Sequence, residues 1–181
     1  MRALSLFAFL LVLLAPLGGC SRRLHERDVR EFIDKADDAA RKRFAPEICA
    51  LRGKDFTLHL TFHGQETDSP TEVEMNRKLF CKQAGTFSRL RVYHLERKSI
   101  EIDLASDRRS ARVVSSYVET LPYYEPDTMP VSPDYFRDYQ VIDTRDDSLV
   151  GFEGGDLVFL SSDSESHQKL VPRNSPDIPF N

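Results

Sequence analysis

The sequence predicts an α+β fold, with N-terminal helices packed on a curved antiparallel sheet. Three observations carry this. Apolar residues recur at helical spacing from Val29 to Ala40, they alternate strictly from Phe56 to Phe62, and strand-like runs dominate after Gly85. At 181 residues, 40% hydrophobic and 30% charged, the chain has the size and balance of one ordinary domain with tails. Those values exclude a collagen-like chain, a multi-span membrane protein and a wholly disordered one. A net charge of −4 also argues against a dedicated nucleic-acid binder, which usually carries a strongly basic face, so no nucleic-acid partner is expected.

The elements follow in order. Asp28, with Glu31 three residues on, reads as the N-cap of a helix over 29–43. Val29, Phe32, Ile33, Ala36 and Ala40 form its apolar stripe, while Arg30, Lys35, Asp37 and Arg41 are expected to face away. Pro46 opens a short second helix to about Leu51, and Gly53 is expected to stop it. Phe56, Leu58, Leu60 and Phe62 alternate with polar partners, giving a half-buried strand. Ser69-Pro70 then reads as the start of a helix over 71–84, ended by Gly85.

Strands follow near Leu90–Tyr93, at Ile100–Leu104 and over 111–121, with a turn at Ser106–Arg109. Residues 122–134 carry four prolines and read as a loop. A last hairpin is expected from 135–143 and 149–160 around Thr144–Ser148, with Gly154-Gly155 as a bulge. The domain is placed at 28–162, after a short polar tether 20–27. Residues 163–181 are polar and proline-containing, hence a flexible C-terminal tail.

The N-terminus carries an address. Met1-Arg2 is followed by a nearly unbroken apolar run from Ala3 to Leu14 and then by small residues. That is the layout of a secretory signal over 1–19. At ~1.5 Å per residue the run is too short to cross ~30 Å of hydrocarbon as a helix. Leu17-Gly18-Gly19-Cys20 resembles the bacterial lipobox. The resemblance implies cleavage before Cys20, a diacylglyceryl thioether on its sulfur, and acylation of the new amine. Each buried CH₂ contributes about 0.8 kcal/mol, and two or more chains anchor stably where one does not. Ser21 follows instead of the Asp that tends to retain such proteins at the inner membrane. The expected location is therefore the cell envelope, at the outer membrane facing the periplasm in a Gram-negative source.

Cys49 and Cys81 remain once Cys20 is lipidated, an even count in an oxidising compartment. They form either a disulfide, which the count favours, or two separate buried thiols. A bridge closing about 33 residues would contribute roughly 3–4 kcal/mol on the chain-entropy model. Neither cysteine shows the base expected of a catalytic thiol, and Lys82 is the only basic neighbour.

The element order resembles the cone-shaped α+β fold of the nuclear transport factor 2-like (NTF2-like) superfamily. The resemblance is carried by VREFIDKADDAARKRF, DFTLHLTF, TEVEMNRKLFCKQA and IEIDLASDRRSARVVSSYVETL. It implies a curved sheet wrapped against helices around a pocket. In ketosteroid isomerases and polyketide cyclases of that superfamily, Asp, His and Tyr groups of the pocket serve catalysis. Asp143, Glu119, Tyr117, Tyr139 and His94 are the candidates here, and no local pattern singles any of them out. Glu119 and Tyr117, two apart, share a strand face.

His59 and His63 lie four strand residues apart, about 13 Å at ~3.3 Å per residue, too far for one zinc ion. Asp143, Asp146 and Asp147 read as a polar turn lacking the ligand spacing of a calcium loop. Arg89, Arg91, Arg108, Arg109 and Arg112 are expected as scattered surface charge. No phosphate loop, GxSxG, HExxH or CxxC occurs, so neither a cofactor nor a metal is expected. The expected role is binding or scaffolding, toward the membrane through lipid and toward a small apolar ligand or an envelope protein. The alternative is an isomerase- or cyclase-type enzyme.

Overall fold

The computed structural model describes residues 23–65, 69–123, 136–176 and 178–179. The expected signal segment, Cys20 and most of the proline-rich loop lie outside the described residues. Three helices cover one face of a single six-stranded sheet. In chain order the elements are α1 (Glu26–Lys42), α2 (Ala45–Ala50), β1 (Arg52–His63), β2 (Thr71–Asn76), α3 (Arg77–Phe87), β3 (His94–Leu104), β4 (Ser110–Tyr123), β5 (Asp138–Glu153) and β6 (Asp156–Pro172). The strand order is β2-β1-β6-β5-β4-β3. Every neighbouring pair is antiparallel except β1 and β6.

Helix α1 begins earlier than its sequence suggests. His25 occupies the N-cap position, and the Asp28 carboxylate accepts from the His25 backbone N–H at 3.1 Å. Asp28 thus serves the helix start from its third position. The tether is also shorter than expected. Leu24 is fully buried, and its N–H donates to the Arg108 carbonyl at 2.8 Å in the β3–β4 turn. Val29, Phe32, Ile33 and Ala39 bury the apolar stripe. Phe32 meets Phe159 of β6 with ring centroids 4.9 Å apart, and Phe56 meets Phe80 of α3 at 5.4 Å.

Further expectations need correction. Residues 90–93 form no strand, and β3 begins only at His94. Gly53 lies inside β1 and does not end α2. Residues 71–76 form a strand, not the first half of a helix. Glu72 and Glu74 are exposed while Val73 and Met75 are half-buried, a period of two that Ser69-Pro70 disguised. The helix starts at Asn76, whose Oδ1 accepts from the Leu79 N–H at 3.0 Å, and passes Gly85 to reach Phe87. The last hairpin turns at Gly154-Gly155, where φ is +62° and +96°, and not at Thr144–Ser148. Two residues in that region suit a tight turn between right-twisted strands.

The segment 163–172, expected as loose tail, is the second half of β6. That strand sits inside the sheet between β1 and β5. The folded body therefore begins at Leu24 and continues past Pro172, where the Arg173 N–H donates to the Arg137 carbonyl and Ile178 is buried. Strand β6 is polar because its inward residues are Ser162, Ser164 and Ser166 while Asp163, Glu165 and His167 point outward.

Candidate functional site

The sheet and the helices enclose a cavity of about 320 Å³. Its apolar wall comes from α1 and α3 (Ala36, Ala84, Phe87) and from β1 (Phe56, Leu58). The two helices beside it, α2 and α3, are crosslinked, since Cys49 is disulfide-bonded to Cys81 with Cα atoms 5.4 Å apart. Arg77 at the start of α3 fastens the same corner. Its Nε and Nη2 donate to the Arg52 and Cys49 carbonyls at 3.0 and 3.3 Å.

Polar and charged side chains interrupt this apolar lining. Asp37 faces inward from α1, contrary to its expected outward position, and its side chain is only 6% exposed. It accepts from Arg97 of β3 through both oxygens, with Nε to Oδ2 at 2.8 Å. Arg97 Nη1 also donates to Ser115 Oγ at 2.7 Å, and its guanidinium lies 5.1 Å from the Tyr117 ring. Burial works against the Arg97 charge, but the hydrogen bonds and charge of Asp37 outweigh it and hold its pKa above the ordinary value. The pair is a bidentate carboxylate–guanidinium fork in a largely buried setting, where losing one partner is costly.

A second cluster pairs Tyr93 with Glu119. The Tyr93 hydroxyl donates to Glu119 Oε1 at 2.5 Å. Burial pushes the Glu119 carboxyl above its usual range, with the Tyr93 hydrogen bond and the Arg97 charge pulling the other way. Burial and the Glu119 charge raise both Tyr93 and Tyr117 well above the usual phenol range. In a third cluster, Asp146 of β5 accepts from Ser148 and Ser164 at 2.5 Å each and from Ser162.

Arg52 completes the wall. Its guanidinium carbon lies 4.2, 4.6 and 5.2 Å from the centroids of Phe159, Phe80 and Phe56. Burial lowers its pKa to about 10, with Asp146 and Tyr117 opposing the shift.

Two of the five catalytic candidates, Tyr117 and Glu119, stand in this cavity. Asp143 is exposed. Tyr139 is buried against Phe136, centroids 4.8 Å apart, and His94 opens β3; neither lines the cavity. Asp146 and Asp147 belong to a strand and not to a turn, and they face opposite ways. Asp147 pairs outside with Arg112 at 2.9 Å. The five arginines do not converge, because Arg89 and Arg91 precede β3 while Arg108 and Arg109 lie in the turn at its far end. Asp37 had a sequence signal. It lies one turn after Ile33 and beside Ala36 and Ala40 on the apolar stripe, where a carboxylate needs a partner.

On the opposite face, β1–β6 register places His63 beside His167. Their rings stack at 4.3 Å with planes 10° apart. Glu165 Oε1 lies 3.2 Å from His63 Nε2 and 3.3 Å from His167 Nε2. Nearly parallel rings do not aim their in-plane lone pairs at one ion, so this trio is a close contact of two stacked imidazoles with one carboxylate and not a set of converging metal ligands.

No family model matches the chain, and no curated protein matches it. Solved structures do. A putative scytalone dehydratase from Novosphingobium aromaticivorans superposes with a TM-score of 0.57 at 13% identity, covering 82% of this chain and 87% of that one. Hexachlorocyclohexane dehydrochlorinase LinA-type3 from Novosphingobium barchaimii gives 0.56 at 8% identity, with 83% and 92% covered. An NTF2-like protein of unknown function from Pseudomonas putida gives 0.51 at 13% identity, with 83% and 96% covered. The chain has the α+β fold of NTF2-like proteins, a curved, mainly antiparallel sheet closed by helices. At such low identity the likeness extends to the fold alone.

Proposed function

We propose that this chain is a lipid-anchored envelope protein whose cavity holds one small, largely apolar molecule. The cavity carries the reading. Its volume of about 320 Å³ falls within the roughly 300–1,000 Å³ of small-molecule sites, and apolar walls with a few fixed polar groups are their usual lining. The anchor is inferred from the Leu17–Cys20 motif.

Two experiments test these parts separately. An environment-sensitive apolar fluorophore titrated into the mature protein is expected to bind with one-to-one stoichiometry. Ala84→Trp, which fills the cavity from α3, is expected to remove that binding. Binding that ignores the tryptophan rejects the cavity as the site. Cys20→Ala is expected to abolish acyl labelling and to release the protein from membranes; unchanged membrane retention rejects the anchor.

One observation favours a second reading. Glu119, with its raised pKa, stands beside Tyr93 and Tyr117 in the cavity. A carboxylate base next to a phenol donor is suited to proton transfer beside a carbonyl. Asp37 is tied up by Arg97, and an arginine does not serve as a base. Deuterium exchange next to the carbonyl of bound cyclohexanone, lost in Glu119→Gln with binding intact, would establish this enzymatic reading.

A further inference from the structure

We infer that the cavity's ligand is a monocarboxylate and that Arg52 receives its carboxylate. This rests on reading the cavity as a ligand site. The starting observation is an imbalance among the ionisable groups that line it. Arg97 is satisfied by Asp37 and Ser115. Glu119 accepts from Tyr93, and Asp146 from three serine hydroxyls. Arg52 lines the same cavity, yet no hydrogen bond or ion pair reaches its side chain among the described residues, and its Nε is buried without a partner.

Native interiors rarely leave such a donor unmet, and a buried cation lacking a counter-charge is costlier still. The three phenylalanines do not supply what is missing. They lie 4.2–5.2 Å from the guanidinium carbon and stabilise its charge through their π-faces, but they offer no lone pair to the in-plane N–H groups. Asp146 acts on Arg52 only through space and is already committed to its serines. With its pKa near 10, Arg52 keeps its proton at neutral pH.

A guanidinium is a planar fork that matches the two oxygens of a carboxylate. An apolar body attached to that carboxylate would extend along Phe56, Leu58 and Phe87, which line the same cavity. The other ionisable groups limit the ligand to one charge. Arg97, the other arginine of the lining, is already held by Asp37, so a second carboxylate would find no free guanidinium and would lie near Asp146.

Calorimetric titration of the mature protein with octanoate, octanamide and octanol tests this, because the three share an apolar body and differ at one end. Octanoate is expected to bind roughly tenfold or more tighter than either neutral analogue. Arg52→Met is expected to erase the preference while octanol still binds, and Arg52→Lys to keep part of it. Equal affinities for the three compounds, or a preference that survives in Arg52→Met, would overturn the carboxylate assignment and leave the apolar site standing. If none of the three binds to a protein with a native circular dichroism spectrum, the ligand-site reading falls together with it. Suberate, which adds a second carboxylate, is expected to bind more weakly than octanoate; tighter binding contradicts the one-charge limit.

Discussion

Asp146 and Asp147 are neighbours on one strand, with the same side chain and opposite fates. Asp146 points into the cavity and collects three serine hydroxyls from β5 and β6. Asp147 points outward and pairs with Arg112, in a contact whose side chains are 37% and 63% exposed. The contrast extends along both strands. Inward lie Thr144, Ser148, Ser164 and Ser166, all buried, with Thr144 Oγ1 and Ser166 Oγ 2.8 Å apart. Outward lie Asp143, Arg145, Asp163, Glu165 and His167, all exposed. The same residue types therefore build an internal polar network on one face and a solvated charge pattern on the other. The network matters to stability because a buried polar group that loses its partner carries the cost of its desolvation.

Substitutions can break this comparison, and their expected effects are graded. Asp37→Ala leaves Arg97, whose side chain is only 19% exposed, without its counter-charge. It is expected to cost about 3 kcal/mol or more in urea denaturation. A loss under about 1 kcal/mol would show that solvent reaches the pair freely. Asp146→Ala removes the acceptor shared by three hydroxyls and is expected to cost about 1–3 kcal/mol in the same assay. Its neighbour supplies the control: Asp147→Ala is expected to change stability by no more than about 0.5 kcal/mol. Comparable losses at 146 and 147 would abolish the distinction between the two faces.

Between those effects lies one that depends on pH. Burial raises Glu119 in the folded state, so the native protein holds this proton at pH values where the unfolded chain has released it. Stability then falls as pH rises from the ordinary carboxyl pKa toward the raised one. Glu119→Gln keeps an oxygen for Tyr93 and removes the titration. Stability curves of the two proteins are expected to diverge across that window, with the wild type losing ground as pH rises. Parallel curves would place Glu119 in contact with water.

The two faces also explain what could be read in advance. Strand β1 was legible because DFTLHLTF packs Phe56 and Leu58 against the helices and alternates cleanly. The turn at 106–109 was legible from its own polar residues and is closed by the Ala105 N–H donating to the Ser110 carbonyl. Strands β5 and β6 were misread where their inward residues are Thr, Ser and Asp, because a cavity-lining strand carries no apolar alternation to find. Strand β2 was hidden by a local Ser-Pro signal that sheet pairing with β1 overrode. In the site, Tyr117 and Glu119 were visible as two residues on one strand face. Their partners were not, since Tyr93, Arg97 and Asp37 come from other elements, and only the register of β3 on β4 and the docking of α1 bring them together.

Leu24 bears on how the body would sit if the proposed lipid anchor at Cys20 holds. Its side chain is locked in the core and its amide is tied to the Arg108 carbonyl. An acylated Cys20 would be four residues upstream, a reach of at most about 14 Å of extended chain. With that proposed anchor, so short a leash would keep the domain from swinging away from the bilayer. It would ride close to the lipid headgroups, with the loop from Asp107 to Arg109 on the membrane-proximal side.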